Sequence, residues 1–237
     1  MADDPRFQRL DPAAVAATVE SVQARIVARF PERNLGAVAG AVRAAALRAA
    51  QAGDRPPLRR MVRAVCTLLA CAVGVGTVAA IVIVVRDAVD AAGGRASFDW
   101  LPVIESAIND LAFAAVATFF LLTITQRLDR HATLRELHRL RTLAHVIDMH
   151  QLTKDPERQL SQPEPTEASV HDPLPPAELG RYLDYCSELL SLVAKTAALY
   201  AQESHDAVVL DTVSEIENLT SGLSRKIWQK ISLLHRR

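Results

Sequence analysis

Between Arg63 and Arg86 the chain carries no charged side chain, only AVCTLLACAVGVGTVAAIVIVV from Ala64 to Val85. As an α-helix this run is about 33 Å long at 1.5 Å per residue, enough for the ~30 Å apolar core of a bilayer. A buried helix of a soluble core usually keeps a polar edge, and here the only polar groups are threonines and cysteines. The run starts some sixty residues into the sequence and is longer than the apolar part of a secretory signal, so it does not read as a cleaved leader. It therefore predicts a transmembrane helix.

A second apolar block runs from about Leu101 to Thr125, LPVIESAINDLAFAAVATFFLLTIT. Its part from Leu111 onward is short for a span, so the full crossing must take in residues from Pro102, which suits a first helical turn. That brings Glu105, Asn109 and Asp110 to the outer interface. The basic flanks set the orientation. Arg55, Arg59, Arg60 and Arg63 precede the first span, and Arg127, Arg130, Arg135, Arg139 and Arg141 follow the second. The connection holds Asp87, Asp90 and Asp99 against Arg95, with Phe98 and Trp100 suited to the headgroup belt. Both termini read as cytoplasmic and the loop as external, in a multi-pass protein of the cell (inner) membrane.

The expected fold class is an all-α membrane protein: a two-helix transmembrane hairpin with long cytoplasmic helices forming a bundle or coiled coil. Its parts are N-terminal amphipathic helices over 1–60 and the hairpin over 61–126, with spans at about 64–85 and 102–125 and an external loop over 86–101. A helical extension over 127–152, a Pro-rich linker over 153–176 and a helical or coiled-coil segment over 177–237 follow. Asp11-Pro12 is a helix start, Phe30 to Asn34 a break, and Gly53 with Pro56-Pro57 a stop. The N-terminal helices pack in a bundle or lie on anionic lipid. No helix breaker follows Thr125 until Pro156, and Leu134, Leu137, Leu140, Ala144 and Ile147 keep one helical face. Leu179, Leu183, Cys186, Leu190, Val193, Ala197 and Tyr200 alternate four and three apart, the spacing of a coiled-coil seam. A break near Gln202 to Asp206, with Ser204 as a cap, precedes a stripe of Val209, Val213, Ile216, Leu223, Ile227 and Leu234. Trp228 among Arg225, Lys226, Lys230, Arg236 and Arg237 suits either a membrane interface or a solvated helix end.

Three sets of residues are candidates for function. Glu105 and Asn109 share a helix face beside Asp110, and in a symmetric oligomer they would ring an outer mouth attractive to cations. Carboxylates placed to favour a helix N-terminus just above the hydrocarbon are the plainer reading. Ala72, Gly76 and Ala80, four apart, form a small-residue face for close packing on the second span or a neighbouring subunit. His138, His145 and Asp148, with His150 close by, are a weak metal or proton-sensing set. Cys66, Cys71 and Cys186 have no CxxC spacing and read as reduced, buried thiols. Nucleophile constellations, phosphate-binding glycine loops and HExxH are missing from the sequence, so no catalytic residue, cofactor or enzyme activity is expected. The 27 basic and 27 acidic side chains cancel, which gives no footprint for nucleic acid.

In layout, a hairpin with an acidic start to its second span and long cytoplasmic helices is similar to mitochondrial calcium uniporters. Their signature is a Trp-Asp pair followed closely by a Met-Glu-Pro run. FDWLPVIES, Phe98 to Ser106, has Asp99 before Trp100 and no such run, so no residue role carries over. The sequence predicts an integral membrane protein of undetermined molecular activity, a homo-oligomeric assembly that forms a small cation-permeable pore. The alternative is a membrane-anchored scaffold or regulatory protein whose cytoplasmic helices bind a partner protein. The expected partners are the bilayer with its anionic headgroups, a second copy of the chain and a cytoplasmic protein.

Overall fold

The computed structural model describes residues 9–52, 57–92, 101–152, 154, 174–202 and 204–234. Every regular element among them is an α-helix: α1 (Pro12–Arg29), α2 (Leu35–Ala52), α3 (Pro57–Ala92), α4 (Leu101–Leu152), α5 (Pro176–Gln202) and α6 (Ala207–Leu234). The chain divides into two units, Met1–Asp54 with Ala132–Arg237, and Arg55–His131. Helix α4 belongs to both.

The first unit is a helical bundle. The Asp11 carboxylate accepts the Ala13 N–H at 2.9 Å and starts α1, with Pro12 in the first turn. The Phe30 N–H closes the helix on the Ile26 carbonyl at 2.8 Å. Helices α1 and α2 approach closely. A Cβ on Gly36 would stand 2.9 Å from Val27 Cγ2, and one on Gly40 3.0 Å from the Gln23 amide. Val15, Val19, Val22 and Ile26 of α1 enter one core with Leu35, Ala39, Val42 and Ala46 of α2. Both N-terminal helices thus bury an apolar face in the bundle.

Leu137, Leu140, Ala144 and Ile147 bring the second part of α4 into the same core. Helix α5 is the central element. The seam from Leu179 to Tyr200 is buried, and so are Tyr182, Tyr185, Leu189, Leu192 and Leu199 on its other sides. The heptad seam is therefore used inside one chain, as part of the bundle core. Helix α6 buries Val209, Val213, Ile216, Thr220, Leu223 and Ile227 at alternating four and three spacing, and Ile231 one turn further on. Its cap is Asp206, whose carboxylate accepts the Val208 N–H at 2.9 Å. Ser204, the expected cap, instead accepts the Asp206 N–H at 3.2 Å. The chain's first described turn is held to the end of α5. The Leu10 N–H donates to Gln202 Oε1 at 2.7 Å, and Gln202 Nε2 donates to the Leu10 carbonyl at 3.3 Å.

Exposed ion pairs link helix to helix: Arg25–Glu188 at 2.8 Å, Arg43–Glu20 at 2.9 Å, Arg48–Glu136 at 3.0 Å and Arg141–Glu215 at 3.1 Å. Solvent screening leaves each worth about 1 kcal/mol or less. They fix which helix faces which more than they stabilise the bundle.

The second unit holds α3 and the first part of α4. Ala64–Asp87 and Ile104–Leu121 are both long and apolar enough to cross a membrane, and neither is buried within the chain. Helix α3 continues past Val85 to Ala92, so the expected loop begins as helix. The rest of that loop, including Phe98, Asp99 and Trp100, lies outside the described residues, as does nearly all of the Pro-rich linker.

Candidate functional site

Glu105, Asn109 and Asp110 occupy the first turns of α4 and are exposed. Glu105 and Asp110 lie within the window Ile104–Leu121 itself. Helical spacing puts Glu105 and Asn109 one turn apart on one face. Large apolar side chains around them are exposed too, among them Ile108, Leu111 and Phe113.

The small-residue face of α3 is open. Ala72, Gly76 and Ala80 are all exposed, and a Cβ on Gly74 or Gly76 would meet nothing within 4 Å. Among the side chains of α3 that the structure describes, those that lose exposure are Cys66, Ala70, Val73, Thr77 and Ile81. Close packing of the small face on the second span of the same chain is therefore not what the structure has.

His138 and His145 are exposed on α4. Asp148, half-buried, accepts Gln151 Nε2 at 2.6 Å. Among the described residues no group of three or more His, Cys, Asp or Glu side chains is placed to hold a metal ion. The first two histidines and Asp148 thus stay separate groups on a helix surface.

A different cluster, not singled out by sequence, sits where α4 ends. Gln151 occupies the next core position after Ile147 and is 2 % exposed. Its Oε1 has no hydrogen-bond partner. Lys154 is buried as well, with its ammonium 5.6 Å from the centre of the Tyr182 ring. Lys230 reaches across from α6 and donates to the carbonyls of Gln151 at 3.0 Å and Lys154 at 3.2 Å. Those carbonyls close the end of α4, where a cation is favoured by the helix dipole. Lys230 therefore turns into the bundle, while Trp228 stays exposed. The Tyr182 hydroxyl lies 3.4 Å from His150 Nδ1. Phe30 meets the Tyr182 ring edge-on at 5.4 Å, and the Arg33 guanidinium stands 5.9 Å from it. One readable signal was available: the stripe 137, 140, 144, 147 continues to a polar residue, Gln151.

Burial, and then the Lys154 charge, hold the His150 imidazole below its ordinary value of 6.5. Burial pushes the Cys186 thiol up to about 12, against which Lys154 and Lys230 act. Burial, and secondarily the Glu136 carboxylate, push the Tyr200 phenol up to about 12, with Arg48 and Arg139 opposing. Both acids keep their protons in the folded state at pH values where the unfolded chain loses them. Stability from these two groups is complete below the unfolded values, 9.0 for the thiol and 10.0 for the phenol, and falls as pH rises past them. The expected result is a melting temperature that drops above about pH 9 and drops less for Cys186→Ala. Cys186 is also expected to resist maleimide at pH 7 until urea unfolds the bundle.

No family model matches the chain, and no curated protein or solved structure matches it. Function rests on the geometry alone.

Proposed function

We propose that this chain is a two-pass protein of the cell membrane with both termini in the cytoplasm, and that it anchors its helical bundle there as a scaffold or regulatory module for a protein partner. One observation carries the reading. The heptad seams of α5 and α6 are consumed inside the bundle, whereas two membrane-length apolar windows leave most of their large apolar side chains exposed. Exposed apolar surface on that scale needs a solvent of its own, and lipid supplies it. Arginines before α3 and after Thr125 favour the cytoplasmic side for both flanks and suit contact with anionic headgroups. Proximity labelling from the C-terminus tests the scaffold role. The intact chain is expected to label a protein set that is lost when the bundle is exchanged for an unrelated helical bundle on the same two spans. The same set from both fusions would contradict it.

A second reading, a homo-oligomer with a small cation-permeable pore, is favoured by one specific observation. Glu105, Asn109 and Asp110 stand exposed within a membrane-length window, where ionisable groups are stable only against water or a partner. Ala72, Gly76 and Ala80 offer a thin face for a neighbouring copy. Reconstituted liposomes are expected to pass monovalent cations, with flux reduced roughly threefold or more by Glu105→Gln with Asp110→Asn, as loss of an acidic ring would do. Flux indifferent to these changes, or none at any voltage, removes this reading and leaves the anchor.

A further inference from the structure

The cluster at the end of α4 joins four parts of the bundle through polar groups. His150, Gln151 and Lys154 come from α4 and the residues just after it. Arg33 comes from the turn between α1 and α2, Tyr182 from α5 and Lys230 from α6. We propose that this cluster is an acid-sensitive lock on the C-terminal end of α4, in which proton uptake at His150 Nδ1 loosens the last turn of α4 from α5 and α6. The proposal does not depend on the membrane reading, since every group in it lies in the bundle unit.

The chemistry follows from the contacts. With Nδ1 unprotonated, the Tyr182 hydroxyl has an acceptor at 3.4 Å. A proton on Nδ1 takes that acceptor away and leaves two donors facing each other unless the phenol turns its hydrogen aside. The imidazolium also places a new positive charge near Lys154, whose ammonium is already held against the Tyr182 ring. Among the described residues, the other charged or titratable groups gathered here are Asp148 on α4, Arg33, Cys186 on α5 and Lys230 on α6. Asp148 is the one carboxylate in this set, and its Oδ1 accepts Gln151 Nε2 at 2.6 Å.

The end of α4 is poised to respond because part of its closure is made by a side chain from another helix, beside the Lys154 N–H that donates to the Gln151 carbonyl at 3.1 Å. Lys230 bridges the carbonyls of Gln151 and Lys154. Loss of that bridge takes a charged donor from both carbonyls and leaves the Lys154 N–H, at 3.1 Å, as a donor to Gln151. Buried Gln151 Oε1, with no partner of its own, adds to the cost of keeping this turn closed. A depressed imidazole in the folded state means stability that is complete above the unfolded value and is lost as pH falls below about 6.5.

Amide hydrogen exchange on the full chain in detergent micelles, corrected for intrinsic pH dependence, reads the lock directly. Between pH 7.5 and 5.5 the protection of amides 147–152 is expected to fall roughly threefold or more, while amides 189–193 in the middle of α5 keep theirs. His150→Gln removes the step. Lys230→Met lowers protection of 147–152 at both pH values. A step of equal size in His150→Gln, or no step in the wild type, overturns the proposal, and so does unchanged protection in Lys230→Met. Should His150→Gln fail to fold, NMR titration of the His150 ring in the wild type decides. A midpoint below 6.5 accompanied by the loss of protection supports the lock, and a midpoint at or above 6.5 overturns it.

Discussion

Leu183→Asp is expected to abolish cooperative unfolding of the helical bundle while the chain remains in the membrane. Leu183 is fully buried in α5, the helix that packs on most sides. The substitution removes apolar contacts worth about 2–5 kcal/mol for a buried leucine. It also forces a carboxylate out of water at a cost of several kcal/mol. Together these match the ~5–15 kcal/mol that holds an ordinary domain folded. Helical circular dichroism during urea titration should lose its sigmoidal transition. Leu183→Ala should keep the transition and shift it by about 2–5 kcal/mol. A transition for Leu183→Asp within ~1 kcal/mol of wild type would contradict the assignment of α5 as the centre of the core.

The converse experiment concerns α3. Val75 and Val78 are exposed near the middle of the window Ala64–Asp87. Replacing both by Arg adds about 2.5–3.5 kcal/mol per residue to insertion at a helix centre. The paired variant is expected to leave the membrane fraction, or to lose its first crossing, while a soluble bundle of normal stability survives. The single variants should have weaker effects, because an arginine can reach toward an interface. Unchanged membrane partition of Val75→Arg with Val78→Arg would mean that α3 does not cross. The two experiments are complementary: each damages one unit and leaves the other as its control.

Much of this architecture can be read from single residues. Asp11 and Pro12 mark a helix start because a carboxylate can take the first free N–H and proline needs none. The segment from Leu101 to Leu152 holds no breaker after Pro102, and it is one helix. Periodicity says that a face is covered without saying by what. The heptad spacing from Leu179 to Tyr200 fits an intersubunit seam as well as a bundle core, and the structure uses it for the core. Ala72, Gly76 and Ala80 show the same limit, since a small face permits close packing but does not require it. Ser204 reads as the cap in sequence, and the hydrogen bonds of the folded chain give that role to Asp206.

The cluster around Gln151 was harder to foresee. Its parts come from residues 33, 150–154, 182 and 230, and no local pattern links Lys230 to the end of α4. A polar residue at a core position was the visible sign. Its partners depend on how α5 and α6 fold back, which is tertiary information. The acidic start of α4 is the reverse case: Glu105, Asn109 and Asp110 are plain in sequence, and their use depends on what surrounds the hairpin.

Cysteine accessibility in intact cells tests the central claim, two crossings with a cytoplasmic bundle, most directly. In a chain with Cys66, Cys71 and Cys186 replaced by Ala, single substitutions are made at three sites: Ala96→Cys between α3 and α4, Thr18→Cys on α1, and Ser232→Cys on α6. A membrane-impermeant maleimide is expected to label the Ala96→Cys chain from outside, and to label the Thr18→Cys and Ser232→Cys chains only after permeabilisation. Labelling of all three alike, or of the α1 and α6 sites from outside with Ala96→Cys protected, would contradict the account.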